Sequence, residues 1–106
     1  MKKATHAELE KCLAIYMNEI ITLIHKHVPD AIVYLFGSRA RKDYKEGADI
    51  DIAIQGATPL SIDTISRLYE ELEYTTIPVS VDFVDFNRTS PELLHRIQQE
   101  GIVWNK

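Results

Sequence analysis

Along the first third of the chain, apolar residues recur at Leu9, Leu13, Tyr16, Met17, Ile20, Ile24 and Val28, the three-and-four spacing of one buried helical face. Thr5 and Glu8 stand ahead of that run as a capping box, with a hydroxyl and a carboxylate able to satisfy amides at a helix start. Pro29-Asp30 ends the predicted helix. The pattern then shortens. Residues 31–36 are a compact β-rich apolar run broken by Gly37-Ser38, and residues 39–44 read as a short helical piece before a Lys45-Glu46-Gly47 turn. Residues 49–55 alternate strictly: Ile50, Ile52 and Ile54 face one side, and Asp49, Asp51 and Ala53 the other.

Ser61 can cap a second long helix carrying Ile62, Ile65, Leu68, Tyr69 and Leu72. Pro78 precedes a third strand over residues 79–85. Ser90-Pro91 opens a last helix lined by Leu94 and Ile97 and stopped at Gly101, and residues 102–104 can add a short edge strand. The predicted order is helix, strand, short helix, strand, helix, strand, helix. No internal repeat, low-complexity stretch or linker interrupts it. This is an α/β (α+β) chain with one small sheet and helices packed on it, read as one domain over residues 1–106.

Composition narrows the function classes. A chain of 106 residues is one domain's worth, so a partner or a shallow face must supply anything recognised beyond a small ligand. The net charge of -4 argues against a protein that grips nucleic acid by bulk electrostatics. Cys12 is the single cysteine, which excludes an internal disulfide and fits a reducing compartment. It falls on the buried side of the first predicted helix and is expected in the core. No signal-peptide core and no span-length apolar stretch is present, so the expected location is cytoplasmic, with no membrane partner.

The chemistry lies in the acids and one turn. Asp49 and Asp51, two apart on a strand, project from the same face, and like charges so close repel unless a cation sits between them. A hard divalent ion such as Mg²⁺ is the natural occupant; an edge strand with a solvated acidic face is the alternative. Gly37-Ser38, between an apolar strand and a short helix, suits phosphate: glycine allows close backbone approach and the serine hydroxyl adds a donor. Asp82 sits inside the apolar Val81-Asp82-Phe83-Val84 strand, where an ionised acid is costly unless paired or metal-bound. If that strand lies beside the Asp49 strand, three acids converge, enough for two metals and an in-line displacement. Asp85 competes for this role but falls on the opposite face, nearer the strand end, and reads as a turn or capping residue.

Of the basic cluster Arg39, Arg41, Lys42 and Lys45, Arg39 is the favoured phosphate contact because it adjoins Ser38; a solvated helix face is the alternative. His25 and His27 fit a helix C-terminus better than a metal site. The run Glu70, Glu71 and Glu73 reads as a solvated helix face.

Gly37-Ser38, ten intervening residues, then Asp49-Ile50-Asp51, with a third acid at Asp82, resembles the signature of the DNA polymerase beta-like nucleotidyltransferase superfamily. The string from Phe36 through Arg41 and the Val81–Asp85 segment resemble its minimal nucleotidyltransferases, the MNT proteins. The resemblance implies a mixed sheet with helices on one side. It implies that Gly37 and Ser38 hold the triphosphate of ATP. Asp49, Asp51 and Asp82 would bind two Mg²⁺ ions, and Asp82 would help activate the attacking hydroxyl. It further implies a helical HEPN-type partner, silenced by transfer of AMP to a tyrosine, so that the chain is an antitoxin. The alternative is a catalytically weak module that neutralises its partner by occlusion. Two departures favour a slow site: Lys42 where the family often has glycine, and Ala48 where it often has serine.

Overall fold

The computed structural model describes residues 4–104. The elements run α1 (His6–His27), β1 (Ile32–Phe36), α2 (Ser38–Arg41), β2 (Ile50–Gln55), α3 (Ile62–Leu72), β3 (Val81–Asp85), a 3₁₀ turn (Phe86–Arg88), α4 (Pro91–Glu100) and β4 (Ile102–Val103). The predicted order holds, with the strand boundaries trimmed by one or two residues. Among the described residues no helix is long and apolar enough to cross a membrane.

The caps form as expected. Thr5 Oγ1 accepts from the Glu8 amide, and the Thr5 amide donates to Glu8 Oε1, both at 3.2 Å. Those bonds to Thr5 hold the Glu8 carboxyl below its usual range. Ser61 and Ser90 cap α3 and α4 through the Thr64 and Leu93 amides. The predicted short helix is shorter than expected. It stops at Arg41 because Lys42 turns into the left-handed region at φ 67°.

The strand order is β3-β2-β1-β4. β1 runs antiparallel to β2 and β4, and β2 runs parallel to β3. Ile50, Ile52 and Ile54 are fully buried with Val33 and Leu35 against Leu13, Met17, Ile20 and Ile24 of α1 and Leu68 of α3. Each such side chain contributes about 1.5–3 kcal/mol by leaving water. Cys12 is exposed, not in the core as expected: the buried stripe of α1 passes through Leu13 and Met17, one helical step round from it. His27 and Lys26 both bind Glu71 of α3 at 2.6 Å, so Glu71 is a tie between helices and not part of a solvated face. His25 Nε2 lies 3.0 Å from the Ala31 carbonyl, closing the turn into β1.

The sheet is covered on both faces. Phe36, Ala53 and Ile97 form a second buried cluster, joined by Tyr34, Val84, Phe86 and Leu93. Helix α4 therefore packs on the face opposite α1 and α3, and the expectation of helices on one side is corrected. The reason is visible in β2: Ala53, on the acid-bearing side, is too small to form a core alone and accepts Ile97 of α4 above it.

Candidate active site

The acid-bearing face of β2 is apolar at one end, under α4, and charged at the other. Asp51 pairs across the sheet with Phe36 on β1 and with Asp82 on β3. Residues opposite each other in a ladder share a face, so Asp51 and Asp82 stand side by side. Asp49 precedes the strand by one residue and lies on the same side by alternation. Burial, then the charges of Asp82 and Asp49, push the Asp51 carboxyl above the usual aspartate range; Arg96 and Arg41 pull it back in part. The three predicted acids are thus an electrostatic unit, with Asp51 at its centre.

Gly37 closes the site from β1. Its backbone sits at φ 76°, ψ -160°, a conformation essentially restricted to glycine. A β-carbon there would overlap Asp51 Oδ2. Ser38 is the first residue of α2 and half-buried.

Arg39 takes a different place from the one expected. It is 3% exposed, its Nε and Nη2 donate to the Ala48 carbonyl at 3.0 and 2.7 Å, and its guanidinium lies 4.8 Å from the Tyr44 ring centre. It ties α2 to the residue before Asp49 and holds the intervening loop. The cations whose charges act on Asp51 are Arg96 from α4 and Arg41, two residues beyond Arg39. Asp85 is a capping residue, as expected: its carboxylate accepts from the Leu60 and Asn87 amides at 2.8 and 3.0 Å.

The sequence reading missed Glu100. At the end of α4 it accepts from the Gly37 amide at 3.0 Å, from Arg41 Nη1 at 3.2 Å on both oxygens, and from Arg96 Nη2 at 3.4 Å. Burial alone would raise its carboxyl, but the bonds from Arg41 and Gly37 and the charge of Arg96 hold it below the usual glutamate range. The Arg96/Glu100 spacing on one helix is the only trace of this cluster in the sequence.

Among the described residues, no three His, Cys, Asp or Glu side chains are gathered tightly enough to chelate one ion as they stand. The donor set is nonetheless right for a hard divalent cation: carboxylate oxygens only, set close together on and beside two paired strands.

Residues 18–104 match the family described as "Polymerase beta, Nucleotidyltransferase". The chain is 33% identical over 82 residues to the Haemophilus influenzae protein named "Probable protein adenylyltransferase MntA", covering 77% of this chain and 72% of that one. A solved toxin-antitoxin structure with AMP-PNP superposes with TM-score 0.71 at 30% identity, over 84% of this chain and 73% of that one. A structure of tri-AMPylated Shewanella oneidensis HEPN toxin in complex with MNT antitoxin matches with TM-score 0.65 at 30% identity, over 84% and 69%. With its Gly-Ser turn set against the in-register pair Asp51 and Asp82, and with most of its length matched, this chain belongs to the polymerase beta nucleotidyltransferase family.

Proposed function

We propose that this chain transfers AMP from ATP to a tyrosine hydroxyl of a helical HEPN-type partner and thereby acts as its antitoxin in the cytoplasm. The observation that carries the reading is the register of Asp51 with Asp82, beside a glycine that has no room for a side chain. Supporting it are the family match and the kinship with a protein adenylyltransferase and with complexes that hold AMP-PNP or an AMPylated HEPN toxin.

In this reading Gly37 and Ser38 hold the triphosphate. Arg41 and Arg96, not Arg39, are the cations facing it. Asp49, Asp51 and Asp82 are the ligands for two Mg²⁺ ions, which when bound stabilise the attacking and leaving oxygens of the displacement. The tyrosine oxygen forms a bond to the α-phosphorus, the bond to the β-phosphate oxygen breaks, and pyrophosphate leaves. Asp82, on the edge strand β3, takes the hydroxyl proton in this reading. The raised proton affinity of Asp51, caused by burial and by the charges of Asp82 and Asp49, supports a cation beside it.

The test is transfer of label from α-³²P-ATP with Mg²⁺ to a co-purified HEPN-type partner. Label on a partner tyrosine that disappears with Asp51→Asn supports the reading. A partner that binds, stays unlabelled and is still neutralised by the Asp51→Asn chain favours occlusion instead. The left-handed Lys42 and the missing hydroxyl at Ala48 are the features that would suit a slow or idle site.

A further inference from the structure

Glu100, at the end of α4, gathers three donors of the site on one carboxylate. It binds the Gly37 amide and bridges Arg41 and Arg96, whose charges act on Asp51. These are the donors that the proposed reading assigns to the triphosphate. We propose that Glu100 sets the affinity of the site for polyphosphate: its carboxylate holds the Gly37 amide, Arg41 and Arg96 in the empty protein, and an incoming triphosphate takes the same donors by displacing it. The inference rests on the reading of this site as one for a nucleoside triphosphate.

Three features support displacement over a fixed strut. First, the contacts are long. Charge-assisted N–H···O bonds between arginine and carboxylate settle near 2.7–2.9 Å, whereas Glu100 meets Arg41 at 3.2 Å and Arg96 at 3.4 Å. Second, Glu100 is the last residue of α4 and its side chain is 18% exposed, so it can swing toward solvent with no change in the helix. Third, the exchange is chemically favourable. A phosphate group offers more acceptors and more charge than one carboxylate, and arginine forks bind it bidentately. Once phosphate is present, Glu100 is repelled from where it stood.

The opposite role, a strut that holds Gly37 and Arg41 ready for phosphate, predicts the opposite result, so the two are separable. Binding of inorganic tripolyphosphate with Mg²⁺ to the full chain is measured by calorimetry for wild type, Glu100→Gln and Glu100→Asp. Glu100→Gln removes the charge at nearly constant shape; Glu100→Asp keeps the charge but is one methylene too short to hold Gly37. Both variants are expected to bind tighter than wild type, the Gln variant by about tenfold, equivalent to about 1.4 kcal/mol. Binding of adenosine, which has no phosphate, is expected to be unchanged. Equal or weaker tripolyphosphate binding by folded Glu100→Gln, with wild type still binding, overturns this proposal alone. Absence of binding by all three proteins overturns the triphosphate reading and this proposal with it.

Discussion

Gly37 and Asp51 exclude a side chain between them: a β-carbon on the first would overlap a carboxylate oxygen of the second. The turn after β1 and the start of β2 are therefore fitted to each other at a single point. Gly37→Ala faces two penalties, the displaced acid and a backbone conformation that costs roughly 1–3 kcal/mol for other residues. The variant is expected to lose about that much stability in urea unfolding. Its labelling rate should fall by about 100-fold, as small misplacements at reacting centres do.

Asp51 should be a residue that lowers the stability of the metal-free protein. Its carboxyl is pushed above the usual aspartate range by burial and two neighbouring acids. A group whose folded-state proton affinity is raised contributes stability only when protonated, fully below the ordinary aspartate range, and loses it as pH rises through the raised value. At neutral pH Asp51 is therefore ionised at a cost. Asp51→Asn is expected to raise the Tm of the metal-free chain by roughly 2–6 °C at pH 7, while abolishing transfer. That gain should shrink as pH falls into the aspartate range. Melting curves at pH 7 and pH 4 without metal check it, and a lower Tm for the variant at pH 7 would contradict it.

Arg39 should matter for stability more than for nucleotide binding. Both of its bonds go to the Ala48 carbonyl, and its guanidinium packs beside Tyr44. Lysine keeps the charge but cannot form the fork. Arg39→Lys is expected to lose about 1.5–3 kcal/mol, the range for buried hydrogen bonds to a charged group. The tripolyphosphate affinity of the folded variant should stay near that of wild type. A large loss of affinity without loss of stability would return Arg39 to the phosphate.

Lys42 adopts a left-handed conformation that glycine reaches without strain. Lys42→Gly removes a penalty of about 1–2 kcal/mol, offset in part by the greater freedom of glycine in the unfolded chain. A net gain of about 0.5–1 kcal/mol in urea unfolding is expected. A faster labelling rate alongside it would tie the slow-site expectation to this turn.

The parts of the site that were legible in the sequence are those fixed by short-range rules. Strand alternation puts Asp49 and Asp51 on one side, and a glycine-serine step after an apolar strand marks the turn. Asp82 was legible because an acid inside an apolar strand demands a reason. What was not legible depends on helical phase and on distant packing. Arg39 adjoins Ser38 in sequence, but α2 turns it under the loop and presents Arg41 instead. Glu100 meets Gly37 across 63 residues, a contact set by how Ile97 seats α4 on Ala53. The two-sided covering of the sheet was missed for the same reason: Ala53 reads as a neutral residue until α4 lies over it.

The mixed direction of the strands has a consequence for when the site comes into being. β1 and β2 are antiparallel neighbours joined by a short excursion, so the glycine turn and the first two acids form one local unit. β3 reaches its place beside β2 only after the chain has crossed over through α3, and it alone carries Asp82. Local pairings close faster than distant ones because less chain entropy is lost in making them. A newly made chain would therefore hold only two of the three acids together for some interval. It would become competent only once the crossover through α3 has closed, so that a full set of acids at this edge of the sheet doubles as a certificate that β3 has docked beside β2.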